Sequence, residues 1–303
     1  MTTESKTTAT PGPRQFPTPG PVVLDAELGW ARLDVVASDR DDTVVTVRPH
    51  RPDRSGDVRL ASETSVDLAG GVVQIRTPRS WRFNPLGPSK DSVDVLVELP
   101  EGSELRGRVA AGTLLTRGVL GAVTFRTSAG DVRVDEAGPV DLQSSAGAIT
   151  VGRATGTVAL TAGAGAVRVR EIAGDATVKC NNGSTTIGEI TGTLSVKSAH
   201  ADVTVENARG DVEVKGSYGQ TVVERIDRGQ VRVESGYGSI EVGVPEGVAA
   251  WLDLGSKSGL VRSELEPASA PGADGPDASD AGATVEIHAQ TSWGDVIVRR
   301  PHA

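Results

Sequence analysis

Apolar and polar residues alternate along most of this chain in short runs, which is the pattern of half-buried β-strands. Runs of this kind, separated by clusters of Asp, Gly, Ser and Pro, fill residues 21–104 and predict a β-rich N-terminal leader or cap. Residues 1–20 are rich in Thr and Pro without such alternation, so they predict a disordered tail. No segment shows clear helical periodicity, and no helix is predicted.

After residue 104 the pattern repeats itself. A small residue, in most cases Gly, recurs at intervals of 17 to 21 residues, most often 18, with alternating apolar pairs on both sides of it. A unit of this length cannot bury its own inner face and must stack on copies of itself. The recurring small residues, called marker positions below, are Gly112, Gly130, Gly147, Gly165, Gly183, Ala201, Gly219, Gly238 and Gly259.

This stacking predicts an all-β fold, a single-stranded parallel β-helix or β-solenoid with coils of about 18 residues over residues 105–266. A right-handed winding is favoured because parallel crossovers prefer that hand, and a left-handed hexapeptide helix is the alternative. The acidic low-complexity stretch 267–282 predicts a disordered loop. Residues 283–303 restore two strands and predict a final coil or C-terminal cap.

Aromatic residues gather at one position of the repeat, immediately before the marker position. They are His200, Tyr218, Tyr237 and, in the closing segment, Trp293, and the two tyrosines are the only ones in the chain. On adjacent coils these rings predict an exposed stacked ribbon that binds a protein partner or sugar rings. The alternative is that stacked rings only stiffen the fold.

A second repeated position, three residues before the marker position, is small and mostly hydroxylic. Its parity places it on the inward face, where its hydroxyl groups are expected to satisfy backbone groups. Cys180 occupies this position, so it is interpreted as a structural residue and not as a nucleophile. A single cysteine also excludes an intramolecular disulfide.

The residue types that carry chemistry are scattered. The four histidines lack metal-ligand spacing, and no glycine-rich phosphate or dinucleotide loop is present. At ~4.8 Å per coil, Asp131 and Asp202 would lie about 19 Å apart, beyond the roughly 5 to 9.5 Å of cooperating carboxylates. We therefore predict no catalytic, cofactor or metal site and no enzyme, and a carbohydrate-cleaving enzyme is the least favoured class. The net charge of -9 excludes nucleic acid as a partner.

The repeats resemble a known family. The units SAGDVRV (128–134), SAGAITV (145–151) and SYGQTVV (217–223), together with VDVLVELPEG (93–102), are similar to the bacterial adhesin-like family of β-strand-repeat domains of unknown function, of β-helix type. The resemblance covers about residues 20–300. It implies a role at the cell surface and brings no catalytic residues with it.

These observations favour a non-enzymatic scaffold that binds a protein partner along a rigid side wall. The alternatives are surface adhesion or glycan binding, and end-to-end self-assembly of a cytoskeletal type. The sequence shows no signal peptide and no apolar stretch of the ~20 residues that span a bilayer. We therefore expect a cytoplasmic location, whereas the resemblance implies the surface.

Overall fold

The computed structural model describes residues 12–78, 91–265 and 284–301. The chain divides into two compact units, Met1–Ala137 and Gly138–Ala303, and this division differs from the boundary expected after residue 104. Strands dominate both units, which confirms the predicted all-β class. The elements of the first unit are β1 (Arg14–Pro17), β2 (Val23–Ser38), β3 (Asp42–Pro49), α1 (Ser55–Glu63), β4 (Ser65–Ala69), β5 (Val72–Arg76), β6 (Ser92–Pro100), β7 (Glu104–Arg117), β8 (Val119–Leu120), β9 (Val123–Ala129) and β10 (Val132–Ala137). Those of the second unit are β11 (Val140–Ala146), β12 (Ile149–Ala154), β13 (Val158–Ala164), β14 (Val167–Ile172), β15 (Ala176–Ile190), β16 (Leu194–Ala208), β17 (Val212–Tyr218), β18 (Thr221–Val223), β19 (Gly229–Tyr237), β20 (Ile240–Gly243), β21 (Ala249–Ser258), β22 (Val261–Ser263), β23 (Thr284–Trp293) and β24 (Val296–Arg299).

The first unit is organised around the long strand β2. This strand pairs in parallel with β5, β6 and β7, while β3 adds antiparallel to β6 and β1 adds antiparallel to β3. Alternate residues of β2, including Leu24, Leu33 and Val35, are fully buried. Strand β1 lies within the range predicted as a disordered tail, and its pairing with β3 orders Arg14–Pro17.

The helix α1 was not predicted. Its sequence carries few apolar residues, and one of its two buried positions is the charged Asp57. The Asp57 carboxylate accepts hydrogen bonds from the backbone N–H groups of Arg51 and Ser92, each at 3.0 Å. Tertiary hydrogen bonds, and not apolar periodicity, therefore hold this helix against β6. No helix of the described chain has the length and apolar character needed to cross a membrane.

In the second unit, equivalent strands pair in parallel one repeat apart. Val178 of β15 lies opposite Val196 of β16, and Val196 lies opposite Val214 of β17. All three side chains are fully buried, as the alternating pattern predicts. In this register each residue therefore lies opposite the residue at the same position of the next repeat.

The predicted single-stranded parallel β-helix, or β-solenoid, is wrong. The parallel strands form a closed barrel of eight strands with extra strands. The prediction assigned the strands before and after each marker position to two separate series, but long strands belong to both. In the first unit β7 pairs with β9 through its first half and with β10 through its second half. In the second unit β15 pairs in the same way with β13 and β14. A strand shared by both series joins them into one hydrogen-bonded network, and no local sequence pattern reveals this.

The glycines at the marker positions are explained by backbone geometry. Gly238 has φ 149°, a conformation that residues with a Cβ atom rarely adopt. A Cβ atom added there would lie 1.9 Å from the carbonyl oxygen of Gly219 on the neighbouring strand. Glycine is therefore required by both the turn and the close approach of the next backbone. Ala201 is the exception among the marker positions, since its φ is not positive.

The order of strands at the C-terminal end departs from the order along the chain. Strands β23 and β24 lie between β19–β20 on one side and β21–β22 on the other. In its described part the predicted final coil or cap, residues 283–303, is thus internal, and among the described strands β21 and β22 are outermost. The apolar residues of β23 explain this order, because Val285 and Ile287 are fully buried and need cover on both sides. The predicted acidic loop, 267–282, lies outside the described residues.

Candidate functional site

The four predicted aromatic residues come together on the surface of the second unit. His200 lies opposite Tyr218, Tyr218 opposite Tyr237, and Tyr237 opposite Trp293 in the parallel register of β16, β17, β19 and β23. We call these four residues the aromatic ladder. The residues that precede it in the same register, Ala164 and Asn182, are not aromatic.

The rings of the aromatic ladder are stacked almost parallel. Ring centroids are 4.7 Å apart for His200–Tyr218, 4.9 Å for Tyr218–Tyr237 and 6.2 Å for Tyr237–Trp293. The interplanar angles are 5°, 6° and 7° in the same order. The side chains nevertheless remain open to solvent, with exposures of 47% for Tyr218, 48% for Tyr237 and 56% for Trp293.

Strand spacing produces this stack. Parallel neighbours lie ~4.8 Å apart, which is close to the separation at which aromatic rings stack with an offset. The ladder residues are exposed and lie opposite one another in the parallel register, so their rings meet at the strand spacing. Tyr218 and Tyr237 therefore cover each other's faces and present mainly their ring edges and hydroxyl groups to solvent.

A polar groove of about 430 Å³ runs beside the aromatic ladder. Lys215, Glu234 and Gln290 each lie three residues before a ladder residue and share its register. These three positions were not singled out from the sequence. Their constant spacing from the ladder residues was the signal that could have found them. The complete lining is Lys215, Gly216, Ser217, Glu234, Ser235, Gly236, Lys257, Gln290, Thr291 and Ser292.

A second aromatic contact was not predicted. Trp251 of β21 is 53% exposed and packs at a tilt against His288 of β23, with ring centroids 5.0 Å apart. The His288 ring lies 2.7 Å from the Glu286 carboxylate and 3.1 Å from that of Asp253. Hydrogen bonding to Glu286, and secondarily to Asp253, raises the pKa of His288 above its usual value.

Cys180 lies in the protein interior. Its side chain is fully buried, and its Sγ lies 3.6 Å from the carbonyl oxygen of Gly165. Burial raises the pKa of the thiol, which disfavours the nucleophilic thiolate. At the same repeat position, the Thr127 hydroxyl donates to the Ala129 carbonyl and the Ser256 hydroxyl to the Gly294 carbonyl. These contacts are the backbone hydrogen bonds expected for this position, whereas the buried Ser235 hydroxyl, at the same position, has no hydrogen-bond partner among the described residues.

The acidic residues considered as a catalytic pair stay in separate repeats. The Asp202 carboxylate accepts a hydrogen bond from the backbone N–H of Gln220 at 2.9 Å, which fastens one strand to the next. Within residues 12–78, 91–265 and 284–301, no group of three or more His, Cys, Asp or Glu side chains is arranged to hold a metal ion. The aromatic ladder and its groove are thus the features of the described surface that best fit a binding role.

Fold and surface together define an all-β repeat protein with an exposed aromatic ladder. The family model described as Toastrack DUF4097 matches residues 33–299, and the chain belongs to that family. This confirms the predicted membership of a domain family of unknown function, but not its β-helix type. No curated protein matches the chain.

Several solved structures are similar over most of their length. A "putative cell adhesion protein" from Clostridium sporogenes is 9% identical, covering 96% of this chain and 99% of that chain, with a TM-score of 0.20. A "Putative lipid binding protein" from Parabacteroides distasonis is 12% identical, with coverages of 96% and 97% and a TM-score of 0.43. A "putative adhesin" from Parabacteroides merdae is 13% identical, with both coverages 95% and a TM-score of 0.34. At such low scores the likeness supports no conclusion about function.

Proposed function

We propose that this chain is a non-enzymatic, adhesin-like binding protein that holds a protein partner on its aromatic ladder. The observation that carries the proposal is the set of four exposed rings in register on four neighbouring strands. Neighbouring rings restrict one another before a partner arrives, so binding costs less side-chain entropy. The adhesin-like part of the proposal rests on the resemblance of the repeat sequences.

The orientation of the rings favours a protein over a sugar. A sugar ring packs its apolar side against an aromatic face, but the faces of Tyr218 and Tyr237 are covered by neighbouring rings. The exposed ring edges carry partial positive charge, and the tyrosine hydroxyl groups donate and accept hydrogen bonds. A protein surface with acceptor groups and its own aromatic or apolar side chains fits these edges.

The groove beside the aromatic ladder supplies the polar rim that protein interfaces have. Lys215 and Glu234 place both signs of charge within one repeat of each other, and Gln290 adds an amide. An aromatic centre with a mixed polar border is the usual composition of a specific interface. Such a border selects its partner by complementary charges and not by net charge alone.

The proposed function includes no catalytic activity. Two carboxylates of neighbouring repeats, Asp202 and Asp211, accept strand-to-strand hydrogen bonds from the backbone N–H groups of Gln220 and Gln230. Cys180 is withdrawn from solvent. Turnover on a panel of polyuronates and other polysaccharides would contradict this part of the proposal.

Glycan binding is the second candidate because of Trp293. This residue ends the aromatic ladder, and its neighbour on the outer strand β21 is Ser258, which is too small to cover an indole face. Its side chain is 56% exposed. A sugar could therefore stack at this one end of the ladder, although not along its length.

The test begins with crosslinked affinity capture from the native cell, followed by purification of the captured protein and measurement of its Kd. The Tyr218→Ala/Tyr237→Ala variant removes the centre of the ladder, and Trp30→Ala in the first unit is a matched control at another exposed aromatic residue. We expect the double variant to raise Kd at least about a hundredfold, as for central interface aromatics. We expect the control to bind as the wild type does.

Other outcomes would contradict the proposal in recognisable ways. Equal binding by the double variant would exclude the aromatic ladder as the contact. Binding to a glycan array that is lost with Trp293→Ala and kept with Tyr218→Ala/Tyr237→Ala would favour the glycan alternative.

We propose a cytoplasmic location for the protein. Cell fractionation tests this location, and recovery of the protein at the cell surface would contradict it and favour adhesion.

A further inference from the structure

The outermost strands of the second unit leave a strand edge open. Among the described residues, β21 pairs only with β23, and β22 pairs only with β24. The exposed apolar side chains here include Trp251, Leu260 at 75% and Val261 at 47%. An open edge with exposed apolar residues is a template for pairing with another chain.

The hydrogen bonds of this edge show which backbone groups are available. The N–H of Gly294 donates to the carbonyl of Ser258, and the N–H of Val296 donates to that of Leu260. Backbone groups of a strand point to alternate sides from one residue to the next. Even-numbered residues of β21 and β22 therefore face β23 and β24, and the odd-numbered Asp253, Gly255 and Lys257 direct their N–H and C=O groups to the open side.

The charges along β21 are complementary to themselves. Asp253 and Lys257 lie two residues on either side of Gly255. An antiparallel copy of the strand, related by a twofold axis at Gly255, places each Asp253 directly opposite the Lys257 of the other copy. A twofold axis at Asp253 would instead oppose two carboxylates, and one at Lys257 would oppose two ammonium groups.

We propose that the partner of this edge is a second copy of the chain, paired antiparallel with β21 in the register centred on Gly255. The dimer joins the two sheets into one and gives the open backbone groups their hydrogen bonds. Gly255 carries no side chain at the axis, where the two strands approach each other. The half-buried residues Leu252 and Leu254 of each copy gain cover from the other.

The contact of Asp253 with His288 does not obstruct this pairing. The Asp253 side chain stays 47% exposed while one oxygen lies 3.1 Å from the His288 ring. The second carboxylate oxygen is therefore available to a lysine across the edge. Asp253→Lys and the double variant both lose the His288 contact, so the comparison of these two variants isolates the charge pairing across the edge, whereas Lys257→Asp keeps the contact.

Charge exchange tests the proposed register. Light scattering on a sizing column, across a concentration series, should show a dimer for the full-length wild type. Asp253→Lys and Lys257→Asp each oppose like charges and should raise the dimer Kd at least about a hundredfold. The double variant Asp253→Lys/Lys257→Asp restores opposite charges and should recover a Kd within about tenfold of the wild type. Circular dichroism checks that all variants are folded.

Each other result would overturn the proposal. A wild type that stays monomeric throughout the series excludes the dimer. Dimers that persist unchanged in both single variants use another surface, and a double variant that stays monomeric excludes this register.

A disulfide gives a second readout that does not depend on charge reversal. In this register the two Gly255 Cα atoms lie about 5.5 Å apart, within the range a disulfide can span. A Cβ atom on Gly255 meets nothing closer than the Gln290 Cγ at 3.8 Å. Gly255→Cys oxidised with diamide should give a covalent dimer, whereas the control Thr177→Cys, exposed on β15, should not. Absence of the crosslink in Gly255→Cys would contradict the proposed axis.

Discussion

Tyr218 and Tyr237 lie directly opposite each other on β17 and β19, and their rings stack with centroids 4.9 Å apart and planes 6° from parallel. The contact joins two positions of the repeat that are equivalent, so the strand register alone brings the rings together. Each ring also contacts a further ring on its other side, His200 for Tyr218 and Trp293 for Tyr237. The rings thus form a continuous stack and not an isolated pair.

The Tyr218–Tyr237 contact should be measurable as a coupling energy. We expect a double-mutant cycle with Tyr218→Ala and Tyr237→Ala to give a coupling of about 1 kcal/mol, the usual value for a stacked aromatic pair. Urea unfolding of the four proteins provides the measurement. The cycle of Tyr218→Ala with Trp30→Ala, which are in different units, is the control and should be additive. Additivity of the tyrosine cycle would show that the stack adds nothing to stability.

Replacing the glycine at a marker position should destabilise the second unit strongly. Gly238→Ala forces a Cβ atom into φ 149° and against the Gly219 carbonyl oxygen, so the free energy of unfolding should fall by at least about 3 kcal/mol. Gly20→Ala, where a new Cβ atom meets nothing within 4 Å, should change it by less than about 1 kcal/mol. Urea midpoints compare the two variants. Equal midpoints would show that the backbone at Gly238 can relax.

The protonation of His288 should make stability depend on pH. Its pKa is raised in the folded protein, mainly by Glu286 and then by Asp253. The charged ring therefore stabilises the fold fully below the unfolded pKa of about 6.5, and this contribution disappears as pH rises through the folded pKa. The difference in unfolding free energy between wild type and His288→Gln should shrink over that range.

NMR titration of the His288 ring provides the direct measurement. The midpoint should lie above 6.5, and Glu286→Gln should lower it more than Asp253→Asn does. Because these groups are exposed, added salt should reduce the shift. Arg232 of β19, which lies opposite His288, acts in the other direction, so Arg232→Gln should raise the midpoint. A midpoint that is the same in all three variants would contradict the assigned causes.

The aromatic ladder shows how far sequence reasoning reached at the candidate site. Its four residues could be found because they occupy one position of a regular repeat, and position in the repeat fixes the register. The spacing of these residues along the chain could not show how the rings are oriented. Their orientation determines whether a ligand meets the faces or the edges of the rings. Trp251 was missed because it lies between Gly238 and Gly259, where the interval between marker positions is longest, at 21 residues.

The sequence by itself determined the all-β class, the repeat of strands, the inward positions such as Val178 and Val196, and the positions that require glycine. These features depend on neighbours along one chain or on one repeat distance, and alternation records them directly. Only the tertiary structure decided how the strands close, because closure depends on pairing between segments far apart in the chain. The long strand β15, for example, pairs with both β13 and β14 and so joins two series of strands. It also decided that β23 and β24 lie inside β21 and β22. That order depends on which of two distant segments is more deeply buried. Ile287 of β23 is fully buried, whereas Leu252, opposite it on β21, is half-buried.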